Sequence, residues 1–362
     1  MIIAIDQSTS ATKAMLFNER CEMLKRVNVT HEQYYPRTGW VEHDVEEIYR
    51  NVLKSIAELI EEETADNMYS LAITNQRETV VVWNKHTGKP VYNAVVWQCM
   101  RGADICNDLK NRGYSEFVQV RSGLLLDPYF SASGVKWILD NVEGARRAAD
   151  NGDLLMGTID TWLIWKLTDG KRHVTDYTNA SRTLLLNIHT MQWDNDLLEL
   201  FTIPKIMMSE LLPCDAVFGK TTVGGLFKSP IAIAGVLGDS HGALTGQMCF
   251  EEGLGKVTYG TGSSVMVNIG EKVATAPRGL VTSIGFAALG KVFYAFEGNI
   301  HCTGGTIKWL EQRLQMIGSP DEAEELAVTV EDKWRGVCCT GFCRTGCSLV
   351  ARGIVKAVHF RG

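Results

Sequence analysis

The chain has no apolar stretch approaching the roughly 20 residues that span a bilayer. Its N-terminus, Met1-Ile2-Ile3-Ala4-Ile5-Asp6, carries neither a basic region nor a small-residue cleavage site. A cytoplasmic protein without membrane insertion is therefore expected. Basic residues are in the minority, 36 Lys and Arg against 42 Asp and Glu, which leaves a net charge of −6 and no cationic footprint for nucleic acid. The acidic run at residues 61–63 reads as a solvated helix face. Paired cysteine spacing is missing over most of the chain, since Cys21, Cys99, Cys106, Cys214, Cys249 and Cys302 are scattered as reduced thiols are. No low-complexity linker and no solenoid period occurs. Two phosphate-binding signatures are absent as well. Without a G-x-x-x-x-G-K-[ST] loop, or a G-x-G-x-x-G after a strand, P-loop and dinucleotide-binding folds lose their main support.

What is present suits two core-bearing domains, for 362 residues at 45% hydrophobic content exceed what one small core needs. The apolar run Ile2 to Ile5, the polar Gln7-Ser8-Thr9-Ser10 and the stretch Ala11 to Phe17 read as strand, turn, strand. After Asp44, the residues Ile48, Val52, Ile56, Leu59 and Ile60 recur at helical spacing, and Glu47 three positions on predicts a capping box. Further strands are expected at Ser70 to Thr74, Thr79 to Trp83 and Tyr92 to Trp97, the last two joined by a turn at Lys85 to Gly88. The mixture of hairpins and helices predicts a mixed sheet. A second glycine-rich region runs from Ile231 through Gly238-Asp239-Ser240-His241 to Gly260-Thr261-Gly262-Ser263-Ser264. It reads as the opening of a second domain, giving domains 1–240 and 241–362.

Binding phosphate without a Walker loop requires backbone N–H groups and hydroxyls in tight turns, with a carboxylate to hold a hydrated Mg²⁺. Asp6, Thr9, Ser10 and Lys13 on the first hairpin, and Gly260, Thr261 and Gly262 on a later one, supply such parts. A serine- and glycine-rich turn also reverses a chain with no ligand at all. Its occurrence twice, each time after an apolar strand, points to phosphoryl transfer on an actin-like architecture. A polyol needs charged groups to pair its hydroxyls, because unpaired buried polar groups are costly. Arg77-Glu78 after Ala72-Ile73-Thr74-Asn75-Gln76 offers a cation beside an anion for that, although a surface ion pair would look the same in sequence.

Several segments occur in the order found in glycerol kinases. They are Asp6-Gln7-Ser8-Thr9, Gly39-Trp40-Val41-Glu42-His43-Asp44, Ile73 to Thr79, Trp97-Gln98-Cys99, Asp127 to Ser131, Val135 to Asp140, Gly157 to Leu163 and Asp176 to Arg182. The chain resembles that family, within the FGGY carbohydrate kinases, over residues 1 to about 336. The resemblance implies an α/β fold, ribonuclease-H-like and of the actin and hexokinase superfamily. It implies two domains with mixed sheets, the second incomplete, and ATP with Mg²⁺ as cofactors. Glycerol or a similar polyol, ATP and ADP would be the ligands, and a homo-oligomer is compatible. Carried over residue by residue, the polyol contacts fall on Arg77, Glu78, Tyr129, Asp239 and Ser240, with Trp97 as an apolar wall. Asp239 matches the catalytic base, ionised at neutral pH if its pKa stays near about 3.9. Nucleotide contacts fall on Thr9, Ser10, Ala11, Lys13, Thr261, Gly304 and Lys308, and water-mediated metal contacts on Asp6 and Asp239.

Four departures accompany the match. Gly238-Asp239-Ser240-His241 stands for Gly-Asp-Gln-Gln, and Ser264 stands for a phenylalanine, which would enlarge the pocket and leaves open a longer polyol or a ketose. Gly134 replaces a lysine of the family signature. The region from Gly224 to Lys228 lacks the basic glycine loop linked to fructose-1,6-bisphosphate inhibition, so that regulation is not expected. The fourth is the cysteine-rich tract from Cys338 to Cys347, whose spacing fits no common zinc motif. A shifted reading frame through Val337 to Leu349 restores the family's Val-Pro-Ala-Phe motif, which suggests a disrupted frame and a shortened second domain. An inactive polyol-binding fragment is then an alternative to an active kinase.

Overall fold

The computed structural model describes residues 1–60, 68–259, 263–300 and 303–329. The acidic run at 61–63, the turn at 260–262 with its nucleotide candidate Thr261, and the cysteine-rich tract lie outside these residues.

The centre of the molecule is a six-stranded mixed sheet in the order Val217–Thr221, Ile231–Gly238, Ser70–Asn75, Ile2–Gln7, Ala11–Phe17, Met23–Thr30. The expected opening hairpin is there, with Asp6 opposite Lys13 and Gln7 opposite Thr12. Ile2–Gln7 runs parallel to Ser70–Asn75, which runs parallel to Ile231–Gly238. Three parallel strands must present their carboxyl ends at one edge of the sheet, and such an edge is where open α/β sheets bind ligands. Asp6, Arg77 and Asp239 all sit at that edge, on or just after the strands.

The helix Val45–Leu59 covers this sheet with Val45, Ile48, Val52, Ile56 and Leu59 buried on one face, as the sequence spacing predicts. Asp44 caps it by accepting from the Glu46 N–H at 2.9 Å. The reciprocal half of the predicted capping box does not form, because the Glu47 carboxylate accepts instead from the Glu32 N–H at 3.3 Å. Ile3, Ile5, Leu71, Ile73, Ile233 and Val236 complete the core between sheet and helices, with Trp83 and Trp162 fully buried beside them.

A four-stranded sheet joins Glu42–His43, Ala94–Val95, Val80–Asn84 and Leu154–Thr158. The strand expected over 92–97 is reduced to two residues. Its flanks are diverted: Tyr92 and Asn93 donate to the Glu42 carboxylate at 2.7 and 2.9 Å, and the Trp97 N–H turns to Thr79 Oγ1 at 3.3 Å. Gly134 lies on the helix Ser131–Asn141. A Cβ there would lie 3.2 Å from Val80 Cγ1 and Val95 Cγ1, so a side chain at this position requires those two valines to give.

From Gly238 the chain leaves the central sheet through the helix Asp239–Gly246 and enters an antiparallel sheet ordered Gly255–Tyr259, Ser263–Asn268, Lys291–Ile300, Val281–Ala288. This sheet faces the carboxyl edge of the first, and the cleft lies between them.

Candidate active site

Arg77 and Glu78 are turned into the cleft by an unusual backbone step. Glu78 has φ of +63°, and across it the Thr79 N–H donates to Arg77 O at 2.6 Å. A γ-turn with positive central φ is strained for a non-glycine residue and persists only where its surroundings hold it. Here Ser131 Oγ donates to Glu78 O at 2.7 Å, and the Glu78 carboxylate accepts from Arg182 Nε at 2.6 Å.

The two residues are not a surface pair. Both are buried, and their own contact is loose, Arg77 Nε to Glu78 Oε1 at 3.9 Å. Arg77 instead forks onto Glu297, with Nη2 to Oε1 at 2.6 Å and Nη1 to Oε2 at 2.9 Å, and its Nε lies 3.2 Å from Asp239 Oδ1. Arg182 Nη1 lies 2.8 Å from Glu297 Oε2, an ionic contact outside hydrogen-bond alignment. Burial alone would raise the pKa of Glu297, but Arg182 and Arg77 outweigh it and hold the carboxyl well below the usual range. Glu78 moves the other way, since burial raises it more than the two guanidiniums lower it.

Asp239 opens its helix with the side chain 42% exposed to the cleft. Desolvation pushes its pKa up, Asp6 and Glu297 add to the rise, and Arg77 and the Ser240 N–H oppose it. Water reaching the half-exposed carboxylate limits that rise. Gly238, just before it, has no space for a side chain: a Cβ would lie 2.6 Å from Arg77 Cγ. Tyr129 packs edge-on against Trp97, with ring centres 5.5 Å apart, and burial raises its pKa so that it stays a phenol.

Thr9, Arg77, Glu78, Trp97, Tyr129, Asp239 and Ser240 line one cleft of about 180 Å³, closed on the far side by Thr258, Ser263, Ser264 and Asn299. The volume is below the 300–1,000 Å³ usual for drug-sized ligands and suits a small one. Trp97 is more than an apolar wall, because its indole N–H donates to Thr9 Oγ1 at 3.0 Å. Thr9 is also held through its carbonyl, 2.9 Å from His31 Nε2. Ser10 is exposed beside it, and the Ala11 side chain is buried in the sheet, leaving Ala11 only its backbone to offer a ligand. Lys13 Nζ lies 2.6 Å from Asp6 Oδ2, so the cation assigned to phosphate and the carboxylate assigned to metal are paired with each other. Gly304 opens the helix Gly304–Gln312, next to Thr303, whose hydroxyl is 2.8 Å from that of Ser263 on the cleft wall. Lys308 is exposed one turn further on.

The sequence reading missed Arg182 and Glu297 as parts of this site. Arg182 sits inside a matched segment without an assigned role. Glu297 is a lone carboxylate directly after Val292-Phe293-Tyr294-Ala295-Phe296, and a charge at the end of such a run, where the strand stays buried, needs a buried partner, which is the signal that could have found it.

A cleft at the carboxyl ends of parallel strands, walled on its far side by an antiparallel sheet, is the arrangement of the actin- and hexokinase-like sugar kinases. Residues 1–246 match the model of the FGGY family of carbohydrate kinases, N-terminal domain. The chain is 53% identical to glycerol kinase 1 of Thermotoga maritima over 333 residues, covering 91% of this chain and 68% of that protein. It is 50% identical to a glycerol kinase of Bacillus cereus, with 91% and 67% covered. Among solved structures it superposes on Plasmodium falciparum glycerol kinase with ADP at a TM-score of 0.84 and 36% identity, covering 91% of this chain and 67% of that one. A xylulose kinase from Rhodospirillum rubrum, at 20% identity and a TM-score of 0.81, shares the fold. The chain belongs to the glycerol kinases of the FGGY carbohydrate kinase family, and it spans about two thirds of the length of these relatives.

Proposed function

We propose that the chain carries out, or carries the polyol half of, ATP-dependent phosphorylation of glycerol to sn-glycerol 3-phosphate. The observation behind this is the convergence of Arg77, Glu78, Tyr129, Trp97 and Asp239 on one small cleft. Arg77 and Glu78 pair the glycerol hydroxyls, and the Trp97 and Tyr129 rings receive its carbon backbone. Asp239 accepts the proton of the terminal hydroxyl while that oxygen attacks the γ-phosphorus. The bond from the γ-phosphorus to its β-bridging oxygen breaks, and ADP leaves.

Thr9, Ser10, the Ala11 backbone and Lys13 would meet the phosphates from one side, and the helix end at Gly304 and Lys308 from the other, while Thr261 lies outside the described residues. Asp6 and Asp239 are close enough for Asp6 to raise the pKa of Asp239, and two mutually repelling carboxylates fit a hydrated divalent cation. Mg²⁺ suits such a site, because it keeps several of its waters and relies on substrate phosphates for the rest of its shell. When bound it would neutralise phosphate charge.

The test is ADP release by the chain with ATP and glycerol. Turnover should be present in the wild type and fall by about 10²-fold or more in Asp239→Asn, the scale of a lost general base. No glycerol-dependent ADP release would reject the reading.

A further inference from the structure

One charge at the cleft has no role in the chemistry above. Lys256, on the strand Gly255–Tyr259, is 1% exposed, and among the described residues it forms no ion pair. Its ammonium donates to two hydroxyls, Thr258 Oγ1 at 2.9 Å and Ser264 Oγ at 3.3 Å. Both hydroxyls line the cleft, and Lys256 stands directly behind them. The Thr258 hydroxyl makes no other hydrogen bond among the described residues, so with its oxygen engaged by the ammonium its own O–H is left to donate into the cleft. Ser264 shares its proton with Glu297 only at 3.5 Å, the outer limit of a hydrogen bond.

Burying an ammonium without a carboxylate at contact distance is costly. Desolvation and then Arg77 lower the pKa of Lys256, Glu297 and Asp239 pull the other way, and the balance leaves it at about 8. The buried neutral His241 adds no counter-charge. A cation kept at such a cost, behind two hydroxyl donors, is suited to an anion that arrives in the cleft.

We propose that Lys256 is a positioning residue for phosphoryl transfer, orienting the Thr258 and Ser264 hydroxyls as donors to the oxygens of the phosphoryl group on its way to the polyol. This rests on the polyol-kinase reading above. Hydroxyls polarised by a cation and fixed before the reaction stabilise developing charge without reorganising.

The test compares the affinities of glycerol and sn-glycerol 3-phosphate by calorimetry in the wild type, Lys256→Met, Thr258→Val and Thr258→Ser, alongside turnover and Tm. Lys256→Met should weaken the phosphate ester by about tenfold and lower kcat by at least as much, while glycerol affinity stays within about twofold. Its Tm should equal or exceed that of the wild type, because an apolar side chain of similar length replaces an unpaired buried charge. Thr258→Val, at an exposed position, should keep a Tm close to that of the wild type and reproduce part of the loss, and Thr258→Ser should restore it. An unchanged ratio of the two affinities in Lys256→Met, or a Thr258→Val variant indistinguishable from the wild type, would overturn the proposal. Lower Tm together with equal loss of both ligands would assign Lys256 a structural role and also overturn it. If the wild type binds neither ligand, the polyol-kinase reading itself fails.

Discussion

Arg77, Arg182, Glu78 and Glu297 form a buried four-charge cluster in which each group depends on the others. Removing one partner of such a set leaves an uncompensated buried charge, which typically costs about 3–5 kcal/mol. Glu297→Gln should therefore lower stability on that scale in denaturant unfolding and, by releasing Arg77 from its fork, abolish measurable turnover. A variant as stable as the wild type would show that the cluster is not energetically coupled. Little of this cluster is visible in sequence. Arg77, Glu78 and Asp239 could be placed because they sit in short segments of a recognisable order, whereas Glu297 meets Arg77 across 220 positions of sequence. Nothing local at either residue announces the other.

The strand-to-helix junctions place these side chains. Ile231–Gly238 delivers Asp239 to the cleft by turning at once into a helix, and the turn is possible because Gly238 has only a hydrogen where Arg77 Cγ passes. Gly238→Ala should push Arg77 off its fork and lower kcat/KM for glycerol by about 10²-fold, the scale of a misplacement near 1 Å, with a smaller effect on Tm. Full activity in that variant would mean that Arg77 is free to shift. Elements with strong periodicity, such as the opening hairpin and Val45–Leu59, were legible because one buried face dictates their pattern. The strand expected over 92–97 was not, because its apolar residues satisfy the strand pattern while the Tyr92 and Asn93 side chains are held by Glu42 and the Trp97 N–H by Thr79, which are neighbours only in three dimensions.

Across the whole molecule the buried ionisable groups link stability to pH. Asp160 is fully buried, accepts from Thr158 and Thr175, and is pushed up to about 7 by desolvation and then by Asp176. Its folded value lies above the ordinary 3.8, so its contribution to stability is complete below that value and is lost as the pH rises through about 7. Asp160→Asn should remove this term. The stability of the variant relative to the wild type should climb between pH 4 and 7, by at most about 1.4 kcal/mol per pH unit. A constant difference over that range would show that Asp160 does not titrate with a raised pKa. His43 works in the opposite sense, its value lowered to about 3 by burial and by His31, so its contribution is present above about 6.5 and fades as acid is added.

The hydrogen bond from Trp97 to Thr9 ties a side chain that would touch the polyol to the turn that would touch the nucleotide. Two ligands that meet through one shared contact cannot bind independently, and thermodynamic linkage makes the dependence symmetric. By whatever factor glycerol tightens or weakens ATP, ATP must alter glycerol by the same factor, and a Trp97→Phe variant, which keeps an aromatic ring but loses the indole N–H, should bring that factor toward one.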